Sequence, residues 1–279
     1  MRLITYRDRD EFRAGVLVDD GVVDAAAALG ESRPIGMRQL LLPGRLDELA
    51  GAIARGDQEP LVVQLEVPVP DPEKIICIGL NYRSHAEEAG LDPPASPTIF
   101  GKYRNALAAP VAAVSLPDAS DKVDYEAEVA VVVGRRCSSV SEDEALDAVA
   151  GYTLFNDLSA RDLQFATPQW MAGKVFDGSA PCGPALVTPE EAGPHDSISF
   201  ALDLNGERMQ EASTDDLIFS VPELISHLST LMTLEPGDLI STGTPSGVGS
   251  TRDPKVWLKP GDEMLISSPT LGELRTTIA

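Results

Sequence analysis

The run Val123-Asp-Tyr-Glu-Ala-Glu-Val-Ala-Val-Val-Val-Gly134 sets two glutamates one residue apart, directly before five apolar residues. On a strand, side chains alternate between faces, so Glu126, Glu128, Ala130 and Val132 share one face and Tyr125, Ala127, Val129, Val131 and Val133 the other. Val129–Val133 is apolar on both faces, the pattern of a strand covered on both sides. The glutamates therefore enter a covered sheet. Neighbouring buried carboxylates repel and resist desolvation, so either one takes up a proton or a cation lies between them. An E-x-E pair also occurs on the wet face of an antiparallel ribbon, and a metal reading requires a third ligand, a base and a substrate cradle elsewhere in the chain.

The chain offers candidates for each. Asp157 ends the apolar stretch Tyr152-Thr-Leu-Phe-Asn-Asp157, where a third carboxylate can join the pair; the common alternative is an Asx turn or helix cap. Ser84-His-Ala-Glu-Glu-Ala-Gly90 reads as one helical turn with a Ser84/Glu87 capping box and a Gly90 stop. His85 and Glu88 then lie three apart on one face, where a carboxylate steers an imidazole and raises its basicity. Lys174, in an irregular stretch from Trp170 to Pro181, is one of few lysines. Gly243-Thr-Pro-Ser-Gly-Val-Gly249 lacks the Gly-Lys-Ser/Thr of a P-loop, but its bare N–H groups and Thr244 suit a carboxylate. His195 and His227 receive no role.

Elsewhere the spacing predicts strands at Arg2–Tyr6, Arg13–Asp19 and Gly21–Asp24, and helices at Met37–Leu42 and Leu46–Ala54. Val67-Pro-Val-Pro-Asp-Pro72 reads as a linker after this opening segment. Further strands are expected at Lys74–Gly79, Pro97–Lys102, Leu258–Ile266 and Gly272–Ile278, with a type I′ hairpin turning at Asn205-Gly206. A capping box at Ser141/Glu144 starts a helix through Ala150, and one at Ser220/Glu223 starts a helix through Leu234 with Leu231 and Met232 in its core stripe.

A net charge of −22 and a pI near 4.4 argue against binding a phosphate backbone, so nucleic acid is not an expected partner. Cys77, Cys137 and Cys182 form no C-x-x-C, which counts against both a disulfide scaffold and thiolate zinc. Charges fill the first ten residues where a signal peptide needs an apolar core, and no apolar run reaches membrane-spanning length. The expectation is a cytoplasmic protein without a membrane partner.

In chain order, Ile78-Gly-Leu-Asn-Tyr-Arg-Ser-His85, Asp124-Tyr-Glu-Ala-Glu128, Gly151–Asp157 with Ala160-Arg-Asp162, Gly173-Lys174, Asn205-Gly-Glu-Arg-Met-Gln210 and Gly243–Gly249 resemble the signatures of the fumarylacetoacetate hydrolase family. The resemblance runs from about Lys74 to the C-terminus. It implies an α+β, mostly β fold, a mixed β-roll preceded by a small α+β domain, here residues 1–68 before a catalytic domain of 69–279, and a homodimer. It implies Mg²⁺ or Mn²⁺ on Glu126, Glu128 and Asp157, and the all-oxygen set by itself favours a hard cation over zinc. It implies His85, Glu88 and Lys174 as catalytic residues, the first two on a lid, and Arg161, Gln164 and Thr244 as substrate-binding residues.

The activity so implied is hydrolysis of the C–C bond of an acylpyruvate-type 2,4-diketo acid, giving pyruvate and a carboxylic acid. His85, steered by Glu88, would activate water, with the cation and Lys174 compensating the developing charge. The same residues would also serve oxaloacetate decarboxylation, or decarboxylation and isomerisation of dicarboxylic ring-cleavage products. A non-catalytic scaffold dimer is the reading from another class, against which the intact residue set counts. Many relatives read G-K-S-F-D-T-F-A-P where this chain has Gly173-Lys-Val-Phe-Asp-Gly-Ser-Ala-Pro181, so Val175, Gly178 and Ser179 are expected to alter the substrate pocket.

Overall fold

A computed structural model describes residues 1–56 and 58–279. Among these residues an 11-stranded sheet runs Gly21–Asp24, Glu11–Val18, Arg2–Asp8, Ala180–Val187, Val149–Asn156, Ala127–Val133, Leu239–Ser241, Ile75–Gly79, Thr98–Lys102, with Leu65–Glu66 and Leu107–Ala108 pairing off this path. A five-stranded sheet, Glu207–Ser213, Ser199–Leu204, Glu263–Ser268, Gly272–Ile278 and Val111–Val114, packs against it. Parallel and antiparallel pairs mix, and the helices are short, so the fold is α+β and mostly β. No helix among the described residues is long and apolar enough to cross a membrane.

The alternation read from the glutamate strand sorts the two cores. Tyr125, Ala127, Val129, Val131 and Val133 join the core between the sheets. Ala130 and Val132 join a second core with Leu3, Leu40, Cys77 and Phe155, on the face covered by Ala25–Leu29, Met37–Leu40 and Arg45–Ile53. The carboxylates belong to this second face.

Several elements depart from the sequence reading. Ala180–Val187, taken as the end of an irregular stretch followed by nothing regular, is a central strand despite Pro181 and Pro184. Pro184 falls where the ladder with Val149–Asn156 is broken, between the Leu154–Gly183 and Tyr152–Val187 pairs, and needs no partner there, while Pro181 lies against Ala108 of the short parallel strand. The helix expected through Ala150 ends at Ala145, passes into a 3₁₀ turn, and gives way to a strand at Val149. Gly151 lies inside that strand, where a Cβ would come within 2.1 Å of the Val187 carbonyl oxygen. The last long helix stops at Leu231, which is exposed rather than in the core. The expected strand at Leu258–Ile266 starts only at Glu263, after the Lys259–Asp262 turn.

The proline-rich segment expected to be a linker is a packed strap. Val67 and Val69 are buried, and Thr5 Oγ1 donates to the Pro68 carbonyl at 2.7 Å. Arg2–Asp8 is hydrogen-bonded into the sheet of the later residues, with Arg2 opposite Val187. One sheet runs through both segments, and we propose residues 1–68 as a small N-terminal domain and 69–279 as the catalytic domain.

Asp24 anchors the first segment. It caps Ala25–Leu29 by accepting from Ala27 N at 2.8 Å, accepts from Tyr6 Oη at 2.7 Å, and takes both Nε and an Nη of Arg13 at 2.9 Å. Burial raises its pKa, but the Arg13, Tyr6 and Ala27 donors outweigh that and hold it below the ordinary value. Burial and the same carboxylate push the Tyr6 hydroxyl up to about 12. A carboxyl depressed on folding stabilises fully above its unfolded pKa of about 3.9, and that contribution disappears as pH falls through the folded value. Asp24→Asn is expected to cost about 3 kcal/mol at neutral pH. The deficit, measured by denaturant unfolding, should shrink below about pH 4 as the parent's own carboxyl protonates.

Candidate active site and metal centre

The register of two neighbouring strands brings the three carboxylates together. Ala127 pairs with Asn156, and Asp157 N donates to the Glu126 carbonyl at 2.9 Å, so Asp157 lies opposite Glu126. Asn156 Oδ1 accepts from Glu126 N at 3.1 Å and fixes that peptide. Glu126, Glu128 and Asp157, all buried, each offer an oxygen within 4.8 Å of the others. Three hard, anionic oxygen donors converging this closely fit a divalent cation of the magnesium or manganese type.

Three cations answer the carboxylates. Lys174 Nζ donates to Glu126 Oε2 at 2.5 Å and to Asp157 Oδ2 at 2.7 Å. Lys102 Nζ donates to Asp157 Oδ1 at 2.6 Å. Arg161 reaches Asp124 at 2.8 Å, Glu126 Oε1 at 2.7 Å and Gln164 Oε1 at 3.0 Å. Asp124 is tied further by the Gly249 and Ser250 amides at 2.7 and 3.0 Å.

Neighbouring charge splits the glutamate pair. Burial raises Glu126, but the Arg161 and Lys174 cations outweigh it and hold its carboxyl well below the usual range. Burial, then the charges of Asp157 and Glu126, push Glu128 well up. Glu128 instead accepts from Ser241 Oγ and, at 3.0 Å, from Gly243 N. Burial pulls Lys174 down, yet Asp157 and Glu126 more than compensate and keep it charged.

The helix proposed as the lid is Arg83–Ala89, closed by Gly90 in the left-handed region at φ 66°. The expected Ser84/Glu87 capping box does not form. The helix begins two residues earlier, with Tyr82 at the cap position, and Ser84 N donates to Asp216 Oδ2 at 3.0 Å, a partner too distant in sequence for a local motif to reveal. His85 Nδ1 and Glu88 Oε2 do meet, at 3.4 Å. Glu88 Oε1 also accepts from Gly247 N at 3.0 Å, which ties the lid to the glycine-rich loop. Burial raises Glu88, but His85, then the Gly247 amide, lower it below the usual value.

Beneath the lid is a cavity of about 300 Å³ lined by His85, Glu126, Glu128, Arg161, Gln164, Lys174 and Thr244, with apolar and hydroxyl side chains around them. Thr244 Oγ1 donates to the Ala127 carbonyl at 2.9 Å and receives Gln210 Nε2 at 2.9 Å. Of the predicted set, Glu88 supports His85 from outside the lining, and Asp157 lies behind it on Lys174. Val175, Gly178 and Ser179 do not line the cavity, contrary to expectation; Ser179 Oγ donates to the Lys174 carbonyl at 2.9 Å and so braces that loop from behind.

Sequence reasoning overlooked Lys102 and Asp124. A lysine closing a strand usually marks the surface, but this chain has six lysines, and one that follows the apolar Thr98–Gly101 run was a usable signal. A larger groove of about 1100 Å³ lies between Phe12, Arg33, Met37 and Arg135 and holds none of these groups.

Comparison with known proteins agrees with the geometry. Residues 74–279 match the family described as fumarylacetoacetate (FAA) hydrolase C-terminal. A 2,4-didehydro-3-deoxy-L-rhamnonate hydrolase of Sphingomonas sp. (strain SKA58) is 46% identical over 215 residues, covering 76% of this chain and 75% of its own. A mitochondrial oxaloacetate tautomerase of Xenopus laevis is 36% identical over 293 residues, covering 100% of this chain and 90% of its own. The structure of a fumarylacetoacetate hydrolase from psychrophilic Exiguobacterium antarcticum matches with a TM-score of 0.86 at 29% identity, covering 100% of this chain and 99% of that one. The chain belongs to the fumarylacetoacetate hydrolase family.

Proposed function

We propose that this protein is a divalent-metal-dependent hydrolase that cleaves the C–C bond of a 2,4-diketo acid to pyruvate and a carboxylic acid. The observation that carries the reading is the His85–Glu88 pair, held at 3.4 Å on a lid over the three carboxylates. The Sphingomonas relative supports it, being named for a 3-deoxy sugar acid oxidised at carbons 2 and 4. Held by Glu126, Glu128 and Asp157, Mg²⁺ or Mn²⁺ supplies Lewis-acid polarisation of a substrate oxygen.

The chain's own groups do the rest. Arg161, Gln164 and Thr244 orient the substrate carboxylate. His85 takes a proton from water, Glu88 steadies the imidazolium, and the water oxygen adds to C4. The C3–C4 bond then breaks, its electron pair passing into the C2–C3 unit, which leaves as the enolate of pyruvate and is protonated at C3. Lys174, buried and charged, offsets the negative charge as it develops. The homodimer and the cytoplasmic location are kept within this proposal; three buried free cysteines suit a reducing compartment.

The Xenopus relative favours a second reading, keto–enol interconversion of oxaloacetate, which needs proton transfer but no hydrolytic water. Pyruvate release from acetylpyruvate, followed beside the enol absorbance of oxaloacetate with Mg²⁺ or Mn²⁺, separates the two. Pyruvate formation that chelator stops is the expected result. Interconversion of oxaloacetate with acetylpyruvate left intact would replace the hydrolase by the tautomerase.

A further inference from the structure

The lining of the cavity speaks to the acyl end of the substrate. Its charged groups are Glu126, Glu128, Arg161 and Lys174, with His85 beside them, and each of the two cations already faces an acid. Lys174 lies at 2.5 and 2.7 Å from Glu126 and Asp157, and Arg161 at 2.7 and 2.8 Å from Glu126 and Asp124; the His85 imidazole is held by Glu88 at 3.4 Å. The rest of the lining is largely apolar, Leu80, Ala89, Leu91, Phe100, Phe165 and Trp170, with Phe100 against Lys174 Nζ at 4.9 Å from its ring centroid and Leu91 and Phe165 exposed.

The Phe100–Trp170 part of this apolar wall is closely packed. Trp170 meets Phe100 edge-on with centroids 5.7 Å apart, and it lies so near Gly79 that a Cβ there would fall 2.2 Å from the indole. The remaining polar lining, Thr98, Ser250 and Thr251, consists of hydroxyl groups. Cations just outside are tied to backbone carbonyls: Arg252 to Gly247 and Met209 at 3.1 and 2.7 Å, Lys255 to Ser250 at 2.6 Å.

From this distribution we infer that the acyl group beyond C4 is short and uncharged, an alkyl or hydroxyalkyl chain, and that substrates ending in a second carboxylate are rejected. The inference rests on the proposed hydrolase reading. A far carboxylate would lose its water against apolar side chains without gaining a cation, a cost absent for a methyl or hydroxyl terminus. The small volume acts in the same direction, being at the lower end of the range for ligand pockets.

The test compares kcat/KM for acetylpyruvate and fumarylpyruvate with Mg²⁺, in the parent protein and in Leu91→Arg, a substitution at a half-exposed position that places a cation on the apolar wall. The parent should prefer acetylpyruvate by at least ~10-fold, and Leu91→Arg should move the ratio towards fumarylpyruvate by about 10-fold. Calorimetric titration of the Mg²⁺-loaded proteins with pyruvate and with oxaloacetate, under non-turnover conditions at low temperature, adds a binding readout that should favour the monoacid in the parent. A parent that prefers fumarylpyruvate, or a ratio unmoved by Leu91→Arg, overturns the inference and leaves the hydrolase reading standing. Cleavage of neither compound overturns the hydrolase reading and this inference with it.

Discussion

Glu126→Gln is expected to reduce metal-supported turnover by on the order of 10³-fold or more and divalent-cation affinity by about 100-fold, while the protein still folds. Glutamine keeps the shape of the side chain and an oxygen to accept from Lys174, but it removes the charge that Arg161 and Lys174 both face. Glu128 and Asp157 remain, but two carboxylates supply one charged donor fewer to a divalent cation. Calorimetric titration with Mg²⁺ and Mn²⁺, circular dichroism and initial rates together read the outcome. Near-normal rates in the folded variant would remove Glu126 from the metal set.

His85→Ala is expected to slow hydrolysis by about 10²–10⁴-fold with little change in cation affinity, since His85 is not among the three converging carboxylates. Glu88→Gln should lower the rate less, because a glutamine can still accept from the Gly247 amide and hold the lid down. Comparing KM with kcat in the two variants separates a missing base from a loosened lid: the first moves kcat, the second KM as well. A His85→Ala protein that hydrolyses acetylpyruvate at the parental rate would assign the water to another group.

The strand carrying the glutamates was readable because its period of two survives burial on both sides, and Ala130 and Val131 indeed face different cores. His85 and Glu88 were readable for a similar reason, since a spacing of three on any helical turn brings side chains together whatever caps the helix. What escaped depended on partners far away in sequence. Ser84 had a local glutamate three residues on, yet the fold gives its amide to Asp216. Lys102 finds Asp157, 55 residues later, only because the edge strand that carries it ends beside the site. Ala180–Val187 carried prolines that argue against a central strand, and only the neighbouring ladder shows where the gaps fall.

The pairing of Arg2 with Val187 also bears on how the molecule assembles. Closing a contact across some 185 residues carries a large chain-entropy cost and slows folding relative to a sheet made of neighbouring hairpins. Hairpins Arg2–Asp8/Glu11–Val18 and Ala127–Val133/Val149–Asn156 form from local chain, but the central strand between them arrives after both. Until it does, two sheet edges stand open and the second core lacks one wall, so the opening hairpin, although made first, waits for Ala180–Val187 to join it to the sheet.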